Sequence, residues 1–369
     1  MADKSEGIEK RVRPELATMV GYSPSKSPET LAGQVEVPVA DIIKLDANEN
    51  PYGCSPRVYR ALAAATGYHI YPDSGQTELR QQLAGYVGVA PEGIVAAGGS
   101  NQLIDLIMRL FVSPGDEVIN CVPTFDIYRF SGRICGASLV EVRRAAGFAV
   151  DVSAIRAAIS PRTKLIFLAN PNSPTGNLTP ADDIAAIAET GLPLVVDEAY
   201  YEFSGETVVP LMARYPNLMV LRTFSKWAGL AGLRVGYGVF PPLIAGYLHT
   251  IKIPYNVNVA ALVAVRESLQ DMAYLRARIN DIIAERERLS RLLPGIGWLK
   301  PYPSQANFIL CAVLEGDAGE LNQRMLKKGI LLRYFNTPLL KNYIRISVGR
   351  PEQTDRLIEV LRGMEGSHG

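Results

Sequence analysis

Covalent chemistry in this chain is best sought at a lysine set among small residues directly behind an apolar run. Lys226 lies in Arg222-Thr223-Phe224-Ser225-Lys226-Trp227-Ala228-Gly229, after the run 218–221, and Arg234 follows eight positions later. An amine becomes nucleophilic when burial or neighbouring cations lower its pKa, which makes Lys226 a candidate for a Schiff-base lysine. Ser225 and Arg234 add hydrogen-bond donors and a fixed positive charge, suited to a phosphate beside the aldehyde that the lysine would hold. The plain alternative is an exposed lysine in a glycine-rich turn.

Four more polar clusters follow apolar runs. Gly98-Gly99-Ser100-Asn101-Gln102 leads into a helical pattern, and free N–H groups at a helix start make an anion site. A strand-to-helix turn capped by Ser100 explains the same residues. In Pro123-Thr124-Phe125-Asp126-Ile127-Tyr128, Phe125 can stack on a flat ring or serve as a core aromatic. The stretch 170–177 holds two prolines and a glycine in a rigid loop, from which Asn172 can present an amide. Asp197 closes the run 194–196 and precedes Glu198-Ala199-Tyr200. A buried carboxylate needs a partner, and a protonated pyridine nitrogen would be one. Capping the next segment, or binding a metal together with Glu198, are the alternatives for Asp197. Tyr200 could hydrogen-bond a phenolic oxygen on the same ring.

These clusters need a scaffold that brings strand ends together. Between 93 and 240, seven short apolar runs alternate with helical stretches such as 102–111 and 181–190. Several runs are apolar on both faces, as strands buried between helix layers are. The pattern predicts an α/β large domain with a mostly parallel seven-stranded sheet between helices, over residues 36–255. Ligands of such sheets bind beyond the carboxyl ends of the strands, where the clusters lie. Residues 1–35 read as an N-terminal arm. Residues 256–369 read as a smaller α+β C-terminal domain: one long helix over 259–293, strands near 307–310, 330–333 and 343–347 in an antiparallel sheet, and a last helix over 351–364.

Composition narrows the function. The 369 residues carry 38 basic and 37 acidic side chains, a net charge of +1 that suggests no nucleic-acid or membrane partner. No stretch approaches a membrane span, and residues 1–6 lack the apolar core of a signal peptide. Cys54, Cys121, Cys135 and Cys311 are widely spaced. They fit neither a zinc site nor a disulfide framework, but do fit a reducing, cytoplasmic compartment. Cys121 and Cys311 sit in apolar runs as core residues. The three histidines, His69, His249 and His368, suit neither a catalytic triad nor a metal site, so no metal is expected. No GxGxxG with a following acidic residue supports a dinucleotide dehydrogenase.

Together the clusters describe one ligand. Lys226 holds an aldehyde, Asp197 a ring nitrogen, Asn172 and Tyr200 a ring hydroxyl, and Phe125 a ring face. Ser100, Ser225, Arg234 and the helix start near Gly99 and Asn101 hold a phosphate. That ligand is pyridoxal 5'-phosphate, recognised by a Schiff-base lysine and an acidic partner for the pyridinium nitrogen.

Over nearly its whole length the chain resembles the fold-type-I pyridoxal-phosphate enzymes, and among them the histidinol-phosphate aminotransferases. The resemblance rests on Lys44-Leu45-Asp46-Ala47-Asn48-Glu49-Asn50-Pro51, Tyr71-Pro72-Asp73, 170–176, Asp197-Glu198-Ala199-Tyr200, Ser225-Lys226 with Arg234, Pro254-Tyr255-Asn256-Val257-Asn258 and Arg345-Ile346-Ser347-Val348-Gly349. It implies an aspartate-aminotransferase-like fold and a homodimer in which Tyr71 reaches the cofactor phosphate of the neighbouring subunit. It also implies 2-oxoglutarate as amino acceptor, and a phosphorylated substrate amine bound by Arg345 and Arg333 near Tyr22, Asn48 and Tyr255. Lys226 would then move the substrate's Cα proton while Asp197 keeps the ring nitrogen protonated. One departure stands out: the family commonly has Tyr where this chain has Phe125, so a hydroxyl contact is lost. Aromatic or broad-specificity aminotransferases and threonine-phosphate decarboxylases share the cofactor residues. A binding module that has kept the fold is the rival from outside enzymology.

Overall fold

A computed structural model describes residues 7–22, 24, 25 and 27–364. Residues 1–6 and His368 lie outside the described residues. Among the described residues there are twelve strands: β1 (Ile43–Leu45), β2 (Ile94–Ala97), β3 (Glu117–Val122), β4 (Ser138–Arg143), β5 (Thr163–Ala169), β6 (Leu194–Asp197), β7 (Leu218–Thr223), β8 (Gly236–Val239), β9 (Leu299–Pro301), β10 (Phe308–Val313), β11 (Ile330–Tyr334) and β12 (Tyr343–Ser347).

The seven expected runs form one sheet in the order β2-β8-β7-β6-β5-β3-β4. All neighbours are parallel except β8, which runs antiparallel to β2 and β7. Alternation along the strands feeds two cores. Ile119, Cys121, Ile166 and Leu168 pack into one; Val118, Leu165 and Phe167 pack into the other. Successive side chains point to opposite faces, so strands apolar at every position require helices on both sides. The sheet is therefore of the expected class.

The second sheet has the order β1-β11-β12-β10-β9. It is mixed rather than antiparallel, because β1 lies parallel to β11. β1 is only three residues long, Ile43-Lys44-Leu45, too short to stand out in the sequence; pairing with β11 makes it a strand. Its core gathers Leu45, Trp298, Ile309, Cys311 and Ile344. Cys121 and Cys311 are buried, as expected, and the four cysteines are free.

The long helix expected over 259–293 is two helices, Val259–Gln270 and Met272–Leu292. The break falls at Asp271, with φ −119° and ψ 37°, whose carboxylate accepts a hydrogen bond from Ser55. Periodicity continues across that residue, so a tertiary anchor rather than a local stop signal divides the helix. No helix among the described residues is long and apolar enough to cross a membrane.

Candidate active site

Beyond the carboxyl ends of β2, β5, β6 and β7 lies a cavity of about 270 Å³, near the lower end of small-ligand sites, which start at about 300 Å³. Lys226 lines it, three residues past the end of β7. Phe224 and Trp227 on either side are fully buried and clamp the turn. The Lys226 Nζ donates to the carbonyl of Ala47 at 2.9 Å. Burial pushes the amine down to about 8, and the positive charge of Arg345 works in the same direction. A charged amine is disfavoured where water is excluded, so this lysine gives up its proton unusually easily.

Asp197 is the last residue of β6 and also lines the cavity. Its Oδ2 accepts from the Tyr128 hydroxyl at 2.8 Å, and its Oδ1 from the Ala199 N–H at 3.1 Å. Burial pushes the carboxyl up to about 6, against the pull of those two donors. Glu198, next in sequence, is engaged elsewhere. It accepts from Arg222 at 2.9 Å, from Thr207 and from the Val208 N–H. That disposes of Glu198 as a metal-binding partner for Asp197.

The remaining wall suits an anion. Helix Ser100–Phe111 starts here, with Ser100 and Asn101 lining the cavity. Gly99 has φ +92° and ψ 159°, and a Cβ on it would stand 2.6 Å from Nη2 of Arg234. Glycine thus serves twice: it allows the turn and it leaves room for the guanidinium. Arg234 itself takes a left-handed φ of 54°, and its Nη1 lies 3.4 Å from Ser225 Oγ. Helix N–H groups, two hydroxyls and a guanidinium are donors of the kind that can cradle a phosphate.

The class I and II aminotransferase family profile matches residues 40–361. The chain belongs to the class I and II aminotransferases. It is 52% identical over 357 residues to a histidinol-phosphate aminotransferase of Dehalococcoides mccartyi, covering 97% of this chain and 98% of that one. It is similar in structure to the histidinol-phosphate aminotransferase of Sinorhizobium meliloti, solved in complex with pyridoxal-5'-phosphate. The TM-score is 0.85 and the identity 29%, covering 96% and 98% of the two chains. A double mutant of Thermus thermophilus aspartate aminotransferase matches at TM-score 0.81 and 25% identity, covering 95% and 99%. The fold-type-I architecture and the resemblance read from the sequence are both borne out.

The cavity of this aminotransferase fits the cofactor expected from the sequence. It offers a lysine with an easily released proton, a buried carboxylate with no ion-pair partner among the described residues, and a cradle that a Cβ at position 99 would fill. Phe125 lines the cavity, with its ring edge-on to Tyr128 at 5.7 Å and to Tyr22 at 6.5 Å. Tyr22, from the arm, lines it too. Tyr200 lines it, with its hydroxyl accepting from Nδ2 of Asn48 at 2.8 Å.

Other expected residues of the aminotransferase stand behind the wall or apart from it. Asn172 is fully buried. Its amide donates to the Pro123 carbonyl at 3.0 Å and to Thr175 at 2.7 Å, so it braces the loop, while Pro171 and Ser173 face the cavity. Asn48 is buried with φ 54° and acts on the site through Tyr200. Arg345 sits behind Ser173, to which it donates at 3.2 Å, and it also holds the Asp46 carbonyl at 2.7 Å. Among the described residues its Nε has no partner, a donor to spare for an anion. Arg333 pairs across the strands with Arg345 and lies over the Phe335 ring at 5.5 Å, outside the lining. Tyr255, at φ 58°, stacks on Tyr71 at 4.5 Å, and neither lines the cavity of its own chain. Tyr71 is 78% exposed. The residue that sequence reasoning missed is Tyr128. It closes the segment 123–128, but its partner Asp197 is 69 positions away, and no spacing rule reaches that far.

Proposed function

We propose that this aminotransferase transfers the amino group of histidinol phosphate to 2-oxoglutarate in histidine biosynthesis, as a cytoplasmic homodimer with pyridoxal phosphate at Lys226. The observation that carries the reading is the convergence of Lys226, Asp197 and the Gly99–Arg234 cradle on one cavity. When bound, the cofactor supplies an electron sink for a substrate carbon that is losing its proton. Asp197 would hold the positive charge at the ring nitrogen. With the cofactor bound, Lys226 Nζ would serve as the base that takes the substrate's Cα proton and returns one, a role for which an amine releasing its proton near 8 is well matched. Tyr200, fixed by Asn48, offers a hydroxyl, and Phe125 offers a ring face.

The substrate assignment is supported by the 52% identical relative and by the paired arginines 345 and 333, whose charges suit a phosphate. The homodimer is supported by exposed apolar side chains, Ile70 61%, Tyr71 78% and Ile253 67%, such as interaction sites carry. Free cysteines fit a reducing compartment.

The test is a substrate panel with purified protein, pyridoxal phosphate and 2-oxoglutarate. Histidinol phosphate should give glutamate with a kcat/KM well above those of phenylalanine and tyrosine. Faster turnover of an aromatic amino acid, or CO₂ release from threonine phosphate, would replace this substrate assignment by one of its rivals.

A further inference from the structure

We propose that Tyr128 is a positioning residue for the reaction: its hydroxyl holds the Asp197 carboxylate charged and oriented toward the cofactor's ring nitrogen. This rests on the reading of the cavity as a pyridoxal-phosphate site. Asp197 is 3% exposed. Left alone, a buried carboxylate tends to take up a proton, and a neutral acid would no longer favour a charged pyridinium. Each oxygen of Asp197 has one donor: the Ala199 N–H on Oδ1 and the Tyr128 hydroxyl on Oδ2. Donors to the ionised form favour that form. The first is backbone and survives any substitution; the second depends on a single side chain.

Packing fixes where that hydroxyl sits. Tyr128 is fully buried in helix Ile127–Ile134. Its ring stacks on Phe167 of β5 at 4.7 Å and 13°, and meets Phe125 edge-on at 5.7 Å. The surrounding charges leave the pair intact. Glu198 is neutralised by Arg222 at 2.9 Å. Tyr200 is buried and held in its neutral form. Arg144, after β4, acts on Tyr128 and donates to the Cys121 and Phe148 carbonyls. The hydroxyl is therefore anchored on one side by the sheet and committed on the other to Asp197.

Binding of two ligands by the apoprotein tests this. One is pyridoxamine phosphate; the other is its 1-deaza analogue, with C–H in place of the ring nitrogen. Tyr128→Phe keeps the stacked ring and removes the donor. It should weaken pyridoxamine phosphate binding about tenfold, the size of one hydrogen bond to a charged group, and leave the deaza analogue unaffected. An equal loss for both ligands overturns the proposal, because a merely structural role predicts that result. In Asp197→Asn the preference for the nitrogen ligand should vanish, and adding Tyr128→Phe should take nothing further from it; a further loss of preference overturns the proposal. If Tyr128→Phe does not fold, the wild type decides through the ¹⁵N shift of labelled pyridoxamine phosphate. The ring nitrogen should stay protonated across the neutral pH range, and a nitrogen that titrates there overturns the proposal. A wild type that binds neither ligand overturns the cofactor reading and this inference with it, an outcome distinct from the variant-specific failures.

Discussion

At the scale of the residue, the chemistry turns on an amine that is neutral more often than a lysine should be. Burial and the nearby Arg345 charge bring Lys226 down to about 8 from 10.5. Only the neutral amine attacks an aldehyde, so capture of pyridoxal phosphate by the apoprotein should quicken about tenfold per pH unit below that value and level off above it. Stopped-flow absorbance of the lysine-bound chromophore measures this; a rise that continues to pH 10 would mean an ordinary lysine. Lys226→Ala should lose the chromophore altogether and drop kcat/KM by at least about a thousandfold, within the range that acid–base groups contribute. Absorption spectra of the purified variant, with steady-state assays, check both. Lys226 and Asp197 were legible in the sequence because each follows a buried strand, where a charge demands an explanation. Asn48 and Asn172 were legible as residues, but the hydrogen bonds that fix them were not: an amide's partners within the protein are set by the folded loop around it.

At the scale of the element, the site is a property of turns. The start of helix Ser100–Phe111 reaches the cavity because Gly99 takes a backbone conformation that side chains resist. Gly99→Ala introduces strain of about 1–3 kcal/mol and pushes on the Arg234 guanidinium, 2.6 Å away. Affinity for pyridoxal phosphate should fall about tenfold or more, with the visible spectrum of the saturated enzyme unchanged; a fluorescence titration reads it. Apolar runs gave away the seven-stranded sheet, since strands covered on both faces are apolar along most of their length. β1 was not legible, because its three residues become a strand only when β11 lies beside them. The break at Asp271 was hidden too: the hydroxyl that anchors it comes from Ser55, 216 positions earlier.

At the scale of the whole molecule, Tyr71 and Tyr255 are not among the residues lining their own cavity, and they stack on each other as exposed side chains. In the proposed dimer, Tyr71 completes the partner's site. A severe Tyr71 variant and Lys226→Ala would then damage different sites. When the two inactive proteins are mixed and allowed to exchange subunits, each hybrid keeps one site free of both lesions. About a quarter of wild-type activity should return at equal input, by the statistics of a twofold assembly. A mixture that stays inactive after subunit exchange, verified by mass spectrometry, would place all of the site's residues within one chain.

Asn48 also ties the two sheets together. Its side chain donates to Tyr200 just beyond β6, and accepts from Ser347 at the end of β12. Its carbonyl accepts from Asn307, one residue before β10. The chain thus threads the second sheet at β1, reaches the first sheet's catalytic edge through one amide, and only then builds the large sheet. Slow hydrogen exchange should reveal the two sheets opening as one cooperative unit. In Asn48→Ala the protected amides should split into two classes, with β10 and β12 exchanging ahead of β5 and β6.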